Sequence, residues 1–109
     1  MLSQIDFRNA VVIIDEVHNL LNMMTSAQSK QGRAIYKILM NAINCRFIAL
    51  SGTPLLNLIY ELGLLFNILR GYMTYAGVKN IPLFPENELE FEQFFVDYVT
   101  EQARNMELF

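Results

Sequence analysis

Two acids stand at the end of an apolar run. Residues 11–14 read Val-Val-Ile-Ile, Asp15 and Glu16 follow, and His18 comes two positions later. A carboxylate is costly to desolvate unless something pairs with it. An acid pair at the mouth of a buried strand therefore asks for a cation or a reactive water. Hard cations prefer oxygen ligands, so Asp15 suits a hydrated Mg²⁺. Glu16 suits the task of orienting or deprotonating a water for attack on phosphorus. A second polar group, Ser51-Gly52-Thr53, ends a second apolar run, Arg46-Phe47-Ile48-Ala49-Leu50. If the two run ends share one crevice, His18 can hydrogen-bond to Ser51 or Thr53 and couple them.

The elements that would place these groups can be read from spacing. Residues 10–14 are continuous and β-branched, which predicts a fully buried strand of a parallel sheet covered on both faces. Residues 22–33, NMMTSAQSKQGR, are polar and rich in small residues and predict a loop. From Ala34 the spacing turns helical, with Ile35, Ile38, Leu39, Ala42 and Ile43 on one stripe. Residues 46–50 predict a second buried strand, giving a βαβ unit with a right-handed crossover. Open α/β sheets bind ligands outside the carboxyl ends of their strands, which is where both polar groups fall.

After that strand Gly52 permits a tight turn and Pro54 suits the first turn of a helix. Residues 55–71 predict a helix apolar on most sides, stopped at Gly71. Residues 72–85 read as a loop broken by Gly77, Pro82 and Pro85. From Glu86 a last helix is expected, with a stripe of Phe91, Phe94, Phe95, Tyr98 and Val99, and its early glutamates favour a helix N-terminus. The fold class expected is α/β, two parallel strands in a βαβα arrangement plus a C-terminal helix.

Each feature has a plainer reading. A lone Asp-Glu after an apolar strand is often only the polar start of a helix or loop. Ser51-Gly52-Thr53-Pro54 alone is an ordinary strand-to-helix turn with Thr53 as N-cap. His18 alone is more often a satisfied loop histidine. Met23 and Met24 suit gap-filling, the phenylalanine stripe suits a core, and Cys45 suits a small buried hydrophobe.

The bulk numbers set bounds. With 109 residues, 53% hydrophobic and 17% charged, the chain is globular material large enough for one small domain or part of a larger one. No apolar run reaches the ~18–20 residues that span a bilayer, and MLSQIDFRNA is not expected to be a secretory signal. The lone Cys45 excludes an internal disulfide and a zinc cluster, and an intracellular, reducing setting is expected. Net charge is −3 but uneven: residues 1–85 carry seven basic and four acidic side chains, residues 86–109 one basic and seven acidic. The first part can lie near an anion; the tail would repel one.

In combination the motifs resemble superfamily 2 helicases and translocases. VVIIDEVHN looks like motif II, the Walker B box in DExH form, and RFIALSGTPLLN looks like motif III. SGTPLLNLIYELGLLFNILRG is similar to the segment that follows in Swi/Snf-type remodelling ATPases and in the helicase-like ATPases of poxviruses and other large cytoplasmic DNA viruses. VHNLLN leans toward the viral group. The resemblance covers about residues 9–71 and implies a partial RecA-like lobe, in which residues 1–71 form the second half of the ATP-binding lobe and residues 72–109 a loop and acidic amphipathic helix of the same domain. It implies that Asp15 is the Mg²⁺-associated acid and Glu16 the catalytic base for ATP hydrolysis. It also implies that His18, Ser51, Gly52 and Thr53 link nucleotide state to nucleic-acid binding, and that Asn57 is a helix-start or interlobe contact. The implied partners are the rest of the motor lobe, a second RecA-like lobe, DNA or RNA, and the transcription machinery of a virus, within a virion or viral factory and with no membrane.

Such motors also need a glycine-rich phosphate loop ending in Gly-Lys-Ser/Thr. None of the five glycines here is followed by lysine. An arginine finger can be worth ~10³–10⁵ in rate, and the second lobe that would carry it is not seen either. The chain is therefore expected not to hydrolyse ATP efficiently by itself. Two strands would leave open sheet edges and an exposed hydrophobic face. The competing reading is a non-catalytic relic or interaction module whose acidic, phenylalanine-lined last helix binds a partner protein. A metal-dependent hydrolase of another family gains little from one histidine, and DEVH lacks the second histidine of a zincin box.

Overall fold

The computed structural model describes residues 7–26, 30–52 and 59–106. Their order is β1 (Val11–Ile14), α1 (Val17–Thr25), α2 (Lys30–Met40), β2 (Arg46–Ala49), α3 (Ile59–Arg70), β3 (Met73–Tyr75), β4 (Val78–Ile81) and α4 (Glu88–Asn105). The described chain is mixed α/β. β1 and β2 pair in parallel, with Val12 opposite Phe47 and Ile13 opposite Ile48. A parallel bridge between Arg8 and Ile43 extends the ladder at its other end. The Cys45 thiol donates to the Phe7 carbonyl there at 3.1 Å, so this cysteine closes the ladder and is only half-buried.

The sheet departs from the sequence expectation in one respect. β1 and β2 are covered on one face only. Val12, Ile14, Phe47 and Ala49 pack against the core, while Val11 and Ile13 are each 63% exposed and Ile48 and Leu50 lie open beside them. A β-branched run marks a strand suited to burial on both sides, but among the described residues nothing covers the second face. The open apolar face itself was expected.

The crossover also differs. The segment predicted as a loop, 22–33, contains the end of α1 and the start of α2. Val17, Leu21 and Met24 are spaced i, i+4, i+7 and are all buried, which makes α1 an amphipathic helix despite its asparagines. Gly32 is a packing residue rather than a turn: a Cβ there would overlap the backbone of Met23 and Met24, so α1 and α2 approach closely at that point. Two helices, not one, thus lie between the parallel strands, and the arrangement is βααβα before the remaining elements.

α3 supplies the centre of the core. Tyr60, Leu64 and Ile68 form its buried stripe, and Ile68 is 1% exposed. Gly71 ends it with φ 77°, and its N–H donates to the Asn67 carbonyl at 2.7 Å, a left-handed helix stop. The predicted loop 72–85 holds an antiparallel hairpin, with Met73 opposite Ile81 and Tyr75 opposite Val78. Ala76 and Gly77 both have positive φ, the type I′ arrangement that matches strand twist. Asn87 caps α4, its side-chain oxygen accepting from the N–H groups of Leu89 and Glu90. Only Phe91 of the α4 stripe is buried; Phe94, Phe95, Tyr98 and Val99 are exposed, contrary to the core role expected of them.

Candidate functional site

β1 delivers Asp15 and Glu16 to the carboxyl end of the parallel pair. The ladder continues past both strands: Leu50 N–H donates to the Ile14 carbonyl at 2.9 Å, and Val17 N–H donates to the Leu50 carbonyl at 3.0 Å. These bonds hold the acid turn against the segment that carries Ser51.

The turn is locally strained. Glu16 has φ 52° and ψ 50°, in the left-handed region. Of the five described non-glycine residues with positive φ, three are asparagines, which tolerate it. A glutamate there costs on the order of 1 kcal/mol. Asp15 offsets part of this, one carboxylate oxygen accepting the Glu16 N–H at 2.9 Å. Both acids are exposed.

His18 joins the two polar groups. Its Nδ1 lies 2.9 Å from Ser51 Oγ, and its Nε2 lies 3.2 Å from Glu16 Oε2. One neutral tautomer satisfies both contacts: Nε2–H donates to the Glu16 carboxylate, and Nδ1 accepts the Ser51 hydroxyl proton. The ring is mostly covered while the Glu16 side chain is 55% exposed. The result is a relay of three side chains, with a half-buried hydroxyl end and a carboxylate end facing solvent. Gly52 is exposed, and a Cβ there would meet nothing within 4 Å. Thr53 and Asn57 lie outside the described residues.

The fit to a metal is limited in kind. Among the described residues no group of three or more His, Cys, Asp or Glu side chains gathers as a metal site. Asp15 offers one exposed carboxylate at the strand end, which fits a Mg²⁺ held mainly by water and phosphate oxygens rather than a protein cage.

A second polar cluster escaped the sequence reading. Asn67 is completely buried; its Oδ1 accepts the Phe84 N–H at 2.7 Å, and its Nδ2 donates to the Phe84 carbonyl at 3.0 Å and to Tyr36 Oη at 3.1 Å. Tyr36 and Tyr72 both donate to Glu86 Oε2, at 2.7 and 2.8 Å. Tyr60 donates to the Glu86 carbonyl. Burial, reinforced by the Glu86 carboxylate, pushes the Tyr36 phenol well above its usual range and Tyr72 up to about 12. Burial also raises Tyr60. All three thus stay protonated donors near neutral pH. The cluster borders a cavity of about 490 Å³ lined by Met24, Tyr36, Tyr60, Tyr72 and Glu86 among others, and none of Asp15, Glu16, His18 or Ser51 reaches it. The signal in the sequence was a glutamate and an asparagine inside an otherwise apolar helix: Glu61, 1% exposed and receiving Thr25 Oγ1 at 3.3 Å, and Asn67.

No family model matches the chain, and no solved structure matches it. Over 92 residues, 77% of this chain and 10% of the other, it is 37% identical to "Putative ATP-dependent RNA helicase R350" of Acanthamoeba polyphaga mimivirus. Over 97 residues, 87% of this chain and 12% of the other, it is 33% identical to "Termination factor NPH-I homolog" of African swine fever virus, in the isolate Tick/South Africa/Pretoriuskop Pr4/1996 and again in Warthog/Namibia/Wart80/1980. Its homologues are viral helicase-like proteins. The chain spans about a tenth of the length of these helicase-like relatives. No helix among the described residues is long and apolar enough to cross a membrane.

Proposed function

We propose that this chain is the motif II to motif III part of a nucleic-acid-dependent ATPase of the superfamily 2 helicase and translocase type, acting in viral transcription. Residues 1–71 would be the second half of a RecA-like lobe, and residues 72–109 its continuation. The observation that carries the reading is the relay Glu16–His18–Ser51 across the carboxyl ends of two paired parallel strands. The likeness to viral helicase-like proteins supports it.

In this reading Glu16 is the base that orients the attacking water, and its left-handed backbone holds the carboxylate out from the sheet. Asp15 would hold Mg²⁺ through water, and the ion would neutralise phosphate charge. His18 hands the state of Glu16 to Ser51, and with Gly52 and Thr53 to the nucleic-acid track; Asn57 serves the contact to the second lobe. The substrate is ATP, the polymer DNA or RNA, and the setting the infected cell or the virion. The phosphate loop and arginine finger are contributed by sequence outside these residues.

The first test is to sequence the nucleic acid on both sides of the reading frame. A Gly-Lys-Ser/Thr loop upstream and an arginine-bearing lobe downstream are expected. In that complete protein Glu16→Gln should lower ATP turnover by about 10²–10⁴-fold while leaving ATP binding intact. Unchanged turnover would remove the role given to Glu16.

A further inference from the structure

α4 carries an apolar stripe that leaves the core. At 100° per residue, Phe91, Phe94, Phe95, Tyr98 and Val99 share one side of the helix. Phe91 is buried against α3, but Tyr98 and Val99 are 54% and 47% exposed and Phe94 and Phe95 are open as well. The rings form a continuous ladder from inside to outside. Phe84 meets Phe94 edge-on with centroids 5.8 Å apart, Phe94 stacks on Tyr98 at 6.3 Å, and Phe91 stacks on Phe95 at 6.5 Å. A ladder anchored in the core is already ordered, so covering it costs little conformational entropy.

Charge says what would cover it. Glu90, Asp97 and Glu101 run along one edge of the stripe, with Arg104 the single cation at its C-terminal end; Glu92 lies along the other edge, and Glu88 lies within the stripe at the start of the helix. Acids on both edges exclude a nucleic-acid backbone. They also oppose a symmetric pairing of two α4 helices, which would set like charges against each other. They match a segment with aliphatic anchors between rows of lysine or arginine, the helix-in-groove mode of recognition.

We propose that the outer face of α4 is the docking surface for a basic amphipathic segment of another protein. Its aliphatic side chains cover Phe94, Phe95, Tyr98 and Val99, and its cations face Glu90, Asp97 and Glu101. The surface is independent of the acid turn at the strand ends.

The test uses the 109-residue chain and a fluorescent helical peptide built only of leucine and lysine in amphipathic order, with a leucine and glutamate peptide of the same pattern as comparison. Fluorescence anisotropy should show binding of the lysine peptide, weakened by salt, and none of the glutamate peptide. Tyr98→Ala with Val99→Ala should weaken binding by roughly tenfold or more. These side chains are exposed, and circular dichroism should show the fold unchanged. Glu90→Gln with Asp97→Asn and Glu101→Gln should weaken binding and flatten its salt dependence. Four results overturn the proposal. They are no binding of the lysine peptide, equal binding of both peptides, equal binding by the Tyr98/Val99 variant, and a dimer in light scattering that the same variant dissolves, which would make a second copy the occupant.

Discussion

The turn at the strand ends and the knot behind α3 are both polar, yet they are built in opposite ways. In the knot every group is satisfied by a partner. Asn67 grips both backbone groups of Phe84, Tyr36 and Tyr72 share one oxygen of Glu86, and the backbone there is relaxed. In the turn the acids are exposed, Glu16 sits in a left-handed conformation, and the only covered member is the His18 to Ser51 link. A buried, saturated network fixes architecture. An exposed, strained set of acids leaves bonding capacity unspent, and strain of this kind gathers at working sites. By that contrast the knot should respond to mutation in stability and the turn in chemistry.

Asn67→Ala gives the largest expected effect. It would leave the N–H of Phe84 without its partner in a part-buried place and remove three hydrogen bonds at once. Leaving such donors unpaired costs ~1–3 kcal/mol each, so a loss of about 3 kcal/mol is expected in urea unfolding. A loss below about 1 kcal/mol would mean that the knot is not the fixed body the contrast requires.

How much of this could be read from the chain depends on how local each signal is. The acid pair, the two parallel strands and the serine at the second strand end are contiguous runs, and their order alone placed them at one sheet edge. α1 hid behind its asparagines because only Val17, Leu21 and Met24 mark its buried face. The hairpin hid because its strands are short and mostly exposed, and its deciding feature is the backbone at Ala76 and Gly77. The one-sided cover of β1 was not legible, since Val11 and Ile13 are as apolar as Val12 and Ile14 and composition does not say which face a partner covers. The knot joins residues up to 50 positions apart, Tyr36 to Glu86, and no local spacing announces such a pair.

Tyr72→Phe tests the knot more finely. It removes one of two donors to Glu86 at a half-exposed position, so about 1 kcal/mol is expected at pH 8. The sign with pH follows from the raised phenol. Tyr72 ionises at about 12 in the folded chain against 10.0 for a free tyrosine. Its stabilisation is therefore whole below pH 10 and is lost as pH rises through about 12. The stability gap between the native protein and the variant should narrow as urea unfolding is repeated from pH 8 toward pH 12. A gap constant across that range would show that the hydroxyl is not held by the carboxylate in the folded state.

The smallest effect lies in the turn and has the opposite sign. Glu16→Asn and Glu16→Gln both remove the carboxylate that faces His18 Nε2, a contact of small worth at an exposed site. Asparagine accepts the left-handed conformation more readily than glutamine does. Glu16→Asn should therefore be more stable than Glu16→Gln by roughly 0.5 kcal/mol, although both lose the proposed base. Comparing these two amides cancels the charge change, which is common to them, and leaves the backbone term against the small hydrogen bond that the longer glutamine can still accept from His18 Nε2. Equal stability would mean that the turn stores no strain at Glu16, and the distinction between a relaxed knot and a strained site would then rest on exposure alone.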